Sequence, residues 1–149
     1  EFLNNAVKTS LSALKDFSIL HLCGKGNAEK SSLENYRQFE YLENMGEAYA
    51  AADVVVSRAG AGAIFEILAL KKPAVFVPLE KASRGDQIEN AKYFEDKGLC
   101  RVLRQSQIQS LPQVIRQTYA DETLKRNLKK CKFNNGNDRI LSELKAFLQ

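Results

Sequence analysis

A chain of 149 residues, 44% hydrophobic and 27% charged, has the length and composition of one globular domain, which excludes disordered and collagen-like chains. Lys and Arg outnumber Asp and Glu by 22 to 18, and the net charge of +4 admits either an anionic partner or a mildly basic surface. No apolar run approaches the roughly 18 residues of a membrane span, and Cys23, Cys100 and Cys131 support neither a disulfide framework nor a zinc site.

Leu3, Val7, Leu11 and Leu14 recur at helical spacing, so the chain opens on a helix, with no signal-peptide pattern ahead of it. Residues 18–23 read as a strand that stops at Gly24-Lys25-Gly26, and residues 36–42 as a second strand. A short helix over 45–52 leads into Val54-Val55-Val56, the strand expected to be most buried. After Ser57-Arg58-Ala59-Gly60-Ala61-Gly62, the positions Ala61, Ile64, Phe65 and Leu68 keep a helix period, which Lys71-Lys72-Pro73 ends. Residues 74–79 form the next strand. A loop over 80–86 precedes a helix over 87–96 with Gly98 as its C-terminal cap, and 101–103 is the last strand.

Three amphipathic helices over 111–120, 122–132 and 138–148 close the chain, the last with a stripe of Ile140, Leu141, Leu144 and Leu148. Lys125, Arg126, Lys129, Lys130 and Lys132 read as a solvated helix face; they lack interleaved aromatics, so nucleic acid is not expected as a partner. The alternation of strands and helices predicts an α/β domain, a Rossmann-like parallel sheet flanked by helices. Such a domain starts on a strand whose loop feeds the first helix, whereas this sequence begins with the helix. It is therefore expected to be a fragment that lacks its first strand and one phosphate-facing loop.

The stretch from Val54 to Glu66 carries the most chemistry. Small residues after an apolar strand let backbone N–H groups approach a ligand, and the N-terminus of the following helix offers unpaired donors that suit phosphate. Glu66 stands one turn past Gly62, and helical side chains lean toward the N-terminus. Its carboxylate either reaches the mouth of the loop, where it accepts from the two hydroxyls of a ribose, or faces solvent beside a tight turn. A second group, Ser83-Arg84-Gly85-Asp86-Gln87 with Asn90, follows another predicted parallel strand, so the two loops should lie side by side. Gln87 can donate and accept toward a hydroxyl pair, while Asp86 either accepts from a sugar or caps the next helix. His21 lies inside a predicted strand and is expected to be a satisfied structural residue rather than a base. No Ser-His-Asp set, metal-spaced cluster or Walker lysine loop occurs.

The strings from Asp53 to Ala61, Ile64-Phe65-Glu66, Lys72-Pro73, Val77-Pro78-Leu79 and Ser83 to Ala91 resemble the donor-binding signature of the MurG family of glycosyltransferases, family 28. The similarity extends more weakly over nearly the whole chain, including Phe39 to Leu42 and Met45. It implies the C-terminal half of a GT-B enzyme that binds UDP-N-acetylglucosamine. By that resemblance Leu42 would meet the uracil through its backbone and Glu66 would hold the ribose. Ala61, Gly62, Ala63, Ile64 and Phe65 would approach the diphosphate, and Gln87, with Asp86 beside it, would contact the sugar. Asp86 departs from the Gln-Gln pair of some members.

The implied activity is inverting, cofactor-free and metal-independent transfer of N-acetylglucosamine to a lipid-linked muramyl acceptor in peptidoglycan synthesis, on the inner face of the cell membrane. The acceptor would be held by an N-terminal domain ahead of Glu1. The alternatives are a related glycolipid glycosyltransferase and a stand-alone UDP-sugar-binding module that needs a partner subunit.

Overall fold

The helical period at the start of the chain forms α1 (Phe2–Ser10), continued by a 3-10 turn at Leu11–Leu14, in a computed structural model that describes residues 1–80, 85–132 and 144–146. Strand β1 (Ile19–Leu22) pairs in parallel with β2 (Tyr36–Phe39), and α2 (Met45–Ala51) follows. Strand β3 (Val55–Ser57) leads into α3 (Ala61–Ala69), and β4 (Ala74–Phe76) precedes α4 (Asp86–Glu95). Strand β5 (Arg101–Val102), a 3-10 segment at Gln105–Ser110, α5 (Leu111–Ala120) and α6 (Glu122–Lys130) complete the described elements. The predicted loop at Ser83-Arg84 and most of the predicted helix over 138–148 lie outside the described residues.

Among the described residues all pairings are parallel, in a two-stranded sheet β1–β2 and a three-stranded sheet β3–β4–β5. Successive β4 residues face opposite layers, as the two-residue period of a strand requires. Ala74 and Phe76 enter a core with Ile64, Ile67 and Leu68 of α3, Phe94 of α4 and Leu124 and Leu128 of α6. Val75 and Val77 enter a second core with Ala6 of α1 and Leu111 and Ile115 of α5. The most buried strand is therefore β4. Val54, Val55 and Val56, expected to hold that place, are only half-buried, because β3 borders the three-stranded sheet while β4 is enclosed by strands and helices.

Gly98 ends α4 as expected. Its N–H reaches Glu95 O at 2.7 Å while Leu99 N–H reaches Phe94 O at 3.0 Å, the paired bonds of a Schellman turn, with Gly98 at φ +65°. Asn127 of α6 donates to Gly98 O at 3.2 Å and lies 2.8 Å from where a Cβ at position 98 would stand. Gly98→Ala is expected to lower stability by about 1–2 kcal/mol from the left-handed backbone alone. Gly62→Ala, with open space around it inside α3, should not destabilise, and the stability measured by denaturant unfolding should hold or rise by up to about 1 kcal/mol.

His21 is 7% exposed and sits in a chain of hydrogen bonds. Its Nδ1 meets Tyr36 Oη at 2.7 Å and its Nε2 meets Asn4 Oδ1 at 3.2 Å, while Asn4 donates to Cys23 O at 2.7 Å. The pattern suits a neutral ring that donates from Nε2 and accepts at Nδ1, a structural role. Burial, with the charge of Lys8 adding, lowers its pKa from the ordinary 6.5. Below pH 6.5 the unfolded chain takes up the proton before the folded one does. The stability present above that pH should therefore fall as pH drops toward the folded pKa. Denaturant midpoints between pH 7.5 and 5.5 should show this slope, and His21→Gln should flatten it, since His21 is the chain's single histidine.

Candidate functional site

The carboxyl ends of β3 and β4 meet through Arg58. Its guanidinium donates to Val77 O at 3.2 Å and Pro78 O at 3.5 Å and lies over the Phe2 ring at 5.5 Å, tying the glycine loop to the end of β4 and to α1. Burial lowers the Arg58 pKa from its usual value. Beyond Arg58 the backbone turns through Gly60, the cap of α3, at φ −66° and ψ 141° with no side chain capping the helix. The first-turn N–H groups, of Ala61, Gly62 and Ala63, lack an in-helix acceptor by position. Ala61 and Gly62 are exposed, and Gly60 and Gly62 have nothing within 4 Å of a would-be Cβ, so the space before the helix is open.

Ile64 and Phe65 differ from these three. The Ile64 N–H is spent on Gly60 O at 3.0 Å, and its side chain is fully buried. Phe65 turns its ring edge-to-face onto Phe94 at 5.6 Å, toward α4. Ile64 anchors the helix whose first turn presents the donors, whereas Phe65 stays largely exposed beside that turn.

Glu66 is exposed on the next turn, and its Oε2 lies 3.5 Å from Tyr49 Oη of α2. Burial, with Glu66 adding, raises the Tyr49 phenol above its ordinary pKa. Asn44 caps α2 by accepting from Glu47 N–H at 3.4 Å, which fixes the segment that holds half-buried Leu42. The sequence reading missed Tyr49. Its one signal is that it falls a helical turn after Met45, on the side that packs against the α3 core.

Gln87 sits in the first turn of α4, where its Oε1 accepts from Leu79 N–H at 3.0 Å. The amide is thereby oriented, and its NH2 remains as the group available to a ligand. Asp86 does not cap α4. Gly85, at φ +93°, holds the cap position, and Asp86 is the first helical residue, exposed, its carboxylate favoured by the positive helix end. Only a glycine readily takes that left-handed turn, so the cap falls one residue earlier than the sequence pattern suggests. Gly24 and Gly26, at φ +84° and +75°, turn the chain after β1, where Gly26 and Lys25 are exposed.

Cavities of about 250 and 330 Å³ lie elsewhere, at Glu95, Arg101 and Asp121 and at Lys71, Lys72 and Lys125. The arrangement at the carboxyl edge is thus an open wall of backbone donors, a carboxylate and an oriented amide. It can hold an anion at the α3 N-terminus and hydroxyls on either side.

The glycosyltransferase family 28 C-terminal domain matches residues 1–144. The chain belongs to this family. A UDP-N-acetylglucosamine--N-acetylmuramyl-(pentapeptide) pyrophosphoryl-undecaprenol N-acetylglucosamine transferase of Geobacillus thermodenitrificans is 44% identical over 155 residues, covering 99% of this chain and 42% of the relative. The enzyme of the same description from Clostridium tetani is 42% identical, covering 99% and 43%. The chain thus spans less than half the length of these curated relatives. MurG of Acinetobacter baumannii matches in structure with a TM-score of 0.72 at 26% identity, over 95% of this chain and 46% of its own. The glycotransferase of kitacinnamycin has the same fold, with a TM-score of 0.72 at 20% identity over 84% of this chain and 33% of its own. The expected GT-B-type fold, parallel sheets flanked by helices, is the one observed.

Arg58→Lys keeps the charge and loses the guanidinium fork, and hydrogen bonds to charged groups contribute about 1.5–3 kcal/mol. We expect destabilisation of that order and faster amide exchange at the start of α3 and after β4. Unchanged exchange there would show that the two loops hold without the clamp.

Proposed function

We propose that this family 28 domain is the donor-binding half of an inverting, metal-independent hexosyltransferase of peptidoglycan synthesis. It would serve transfer of N-acetylglucosamine from UDP-N-acetylglucosamine to undecaprenyl-diphospho-N-acetylmuramoyl-pentapeptide. The observation that carries the reading is the uncapped N-terminus of α3 at the carboxyl edge of the sheet, with Glu66 a turn behind it and the Gln87 amide held by Leu79 just past the end of β4. The N–H groups of Ala61, Gly62 and Ala63 face the diphosphate, and the backbone of Leu42 meets the uracil. Glu66 accepts from the ribose hydroxyls. Gln87 donates to a sugar oxygen, its own carbonyl being engaged by Leu79, and Asp86 stands next to it.

As the acceptor hydroxyl attacks the anomeric carbon, the bond from that carbon to the diphosphate oxygen breaks and negative charge grows on departing UDP. Helix-end donors already oriented toward that charge stabilise it without reorganisation. The acceptor and the base that takes its proton belong to an N-terminal domain, and the complete enzyme lies on the inner face of the cell membrane. No described helix is long and apolar enough to cross a membrane, which is compatible with that peripheral placement. The parallel sheet in parts of two and three strands supports a further strand supplied from upstream. A doubly wound order 3-2-1-4-5-6 leaves such parts when its first strand is set aside.

Calorimetric titration should find UDP bound more tightly than ADP, and equal affinities would overturn the donor assignment. In a transfer assay with a soluble acceptor analogue, this chain alone should be nearly inert. A chain extended upstream through a second domain should turn over, because placing both reactants supplies a large part of the rate. Robust turnover by the short chain would remove the acceptor chemistry from the other half.

A further inference from the structure

We propose that Tyr49 is a positioning residue for ribose recognition: its phenol holds the Glu66 carboxylate in the pose that accepts the 2′ and 3′ hydroxyls of the nucleotide. The proposal rests on the ribose role of Glu66 and extends it to a residue on another helix.

Glu66 is an exposed glutamate, and immobilising such a side chain costs rotamer entropy when a ligand arrives. Its one polar partner seen among the described residues is Tyr49 Oη, 3.5 Å from Oε2. Tyr49, in contrast, is pinned. Its ring packs against the core formed by α3, β4 and α4. Asn44 caps the start of α2, and Lys72 Nζ donates to Ala50 O at 3.0 Å and Ala52 O at 2.9 Å at its end. A side chain fixed at its base thus reaches a side chain that is not.

The chemistry fits one proton and one acceptor. Burial raises the phenol's pKa, so the hydroxyl keeps its proton at any working pH and donates to the carboxylate. One carboxylate oxygen is then engaged, and the other, together with the remaining lone pairs, stays open to a diol. Because α2 also follows the Leu42 segment, the same short helix links the uracil contact to the ribose contact. Recognition of base and sugar by this domain would then share one rigid support.

Titration of this chain with UDP and with 2′,3′-dideoxy-UDP separates the possibilities. Glu66→Ala should weaken UDP and leave the dideoxy nucleotide unchanged. Tyr49→Phe keeps the packed ring and should weaken UDP by about threefold to tenfold, the usual effect of one hydrogen bond. It should not touch the dideoxy nucleotide, and it should add nothing in a Glu66→Ala background. If Tyr49→Phe weakens both nucleotides equally, or neither, the positioning role is overturned while the ribose role of Glu66 stands. If Glu66→Ala weakens both nucleotides equally, or neither, or if UDP does not bind, the ribose reading itself fails and the Tyr49 role fails with it.

Discussion

Burial of Ile64, Ile67 and Leu68 of α3 against Ala74 and Phe76 of β4 is the contact on which the rest of the site depends. A helix capped by glycine, as α3 is by Gly60, gives up about a few tenths of a kcal/mol relative to one capped by Ser or Asp. Three fully buried aliphatic side chains contribute about 1.5–3 kcal/mol each. The apolar face therefore outweighs the missing cap, and the first turn can leave its N–H groups directed at solvent. Packing along one face of α3 stabilises the helix and leaves its N-terminus open.

Polar side chains then fix the loops that this packing brings together. Arg58 joins the ends of β3 and β4, Gln87 joins α4 to Leu79, and Lys72 holds the end of α2. Each does so by bonding to backbone groups that the strand ladders and helices leave over, and so each satisfies a peptide group while setting the position of a neighbouring element. Ion pairs elsewhere, such as Arg101 with Asp121 and Lys92 with Asp96, are partly or largely exposed and add little by comparison.

The surface before α3 is open rather than a closed pocket, in keeping with a domain that spans less than half of its family relatives. Donors and carboxylate line one wall. A cleft that excludes water and strengthens those interactions needs a second wall, which in the proposed enzyme is the acceptor domain. Of the basic residues of α6, Arg126, Lys129 and Lys130 are exposed on a solvated helix face as their spacing indicates, whereas Lys125 is half-buried and paired with Glu122 at 2.8 Å.

The element order, the parallel α/β class and the small-residue turn into α3 were legible from the sequence because each rests on local patterning. Helical spacing from Leu3 to Leu14, the strand preceding Arg58 and the glycine at 98 depend only on neighbours a few residues away. The family signature from Asp53 to Ala91 was equally local. What tertiary structure decided are the relations between distant segments. That β4 rather than β3 is the enclosed strand follows from strand order, which the hydrophobicity of Val54-Val55-Val56 does not encode. That Gly85 displaces Asp86 from the cap follows from a left-handed backbone turn. That Gln87 spends its carbonyl on Leu79, and that Tyr49 stands against Glu66, follow from packing between helices and strands far apart in the chain. A sequence pattern specifies which face of an element is apolar; only the packed structure selects the partner each face and each leftover backbone group meets.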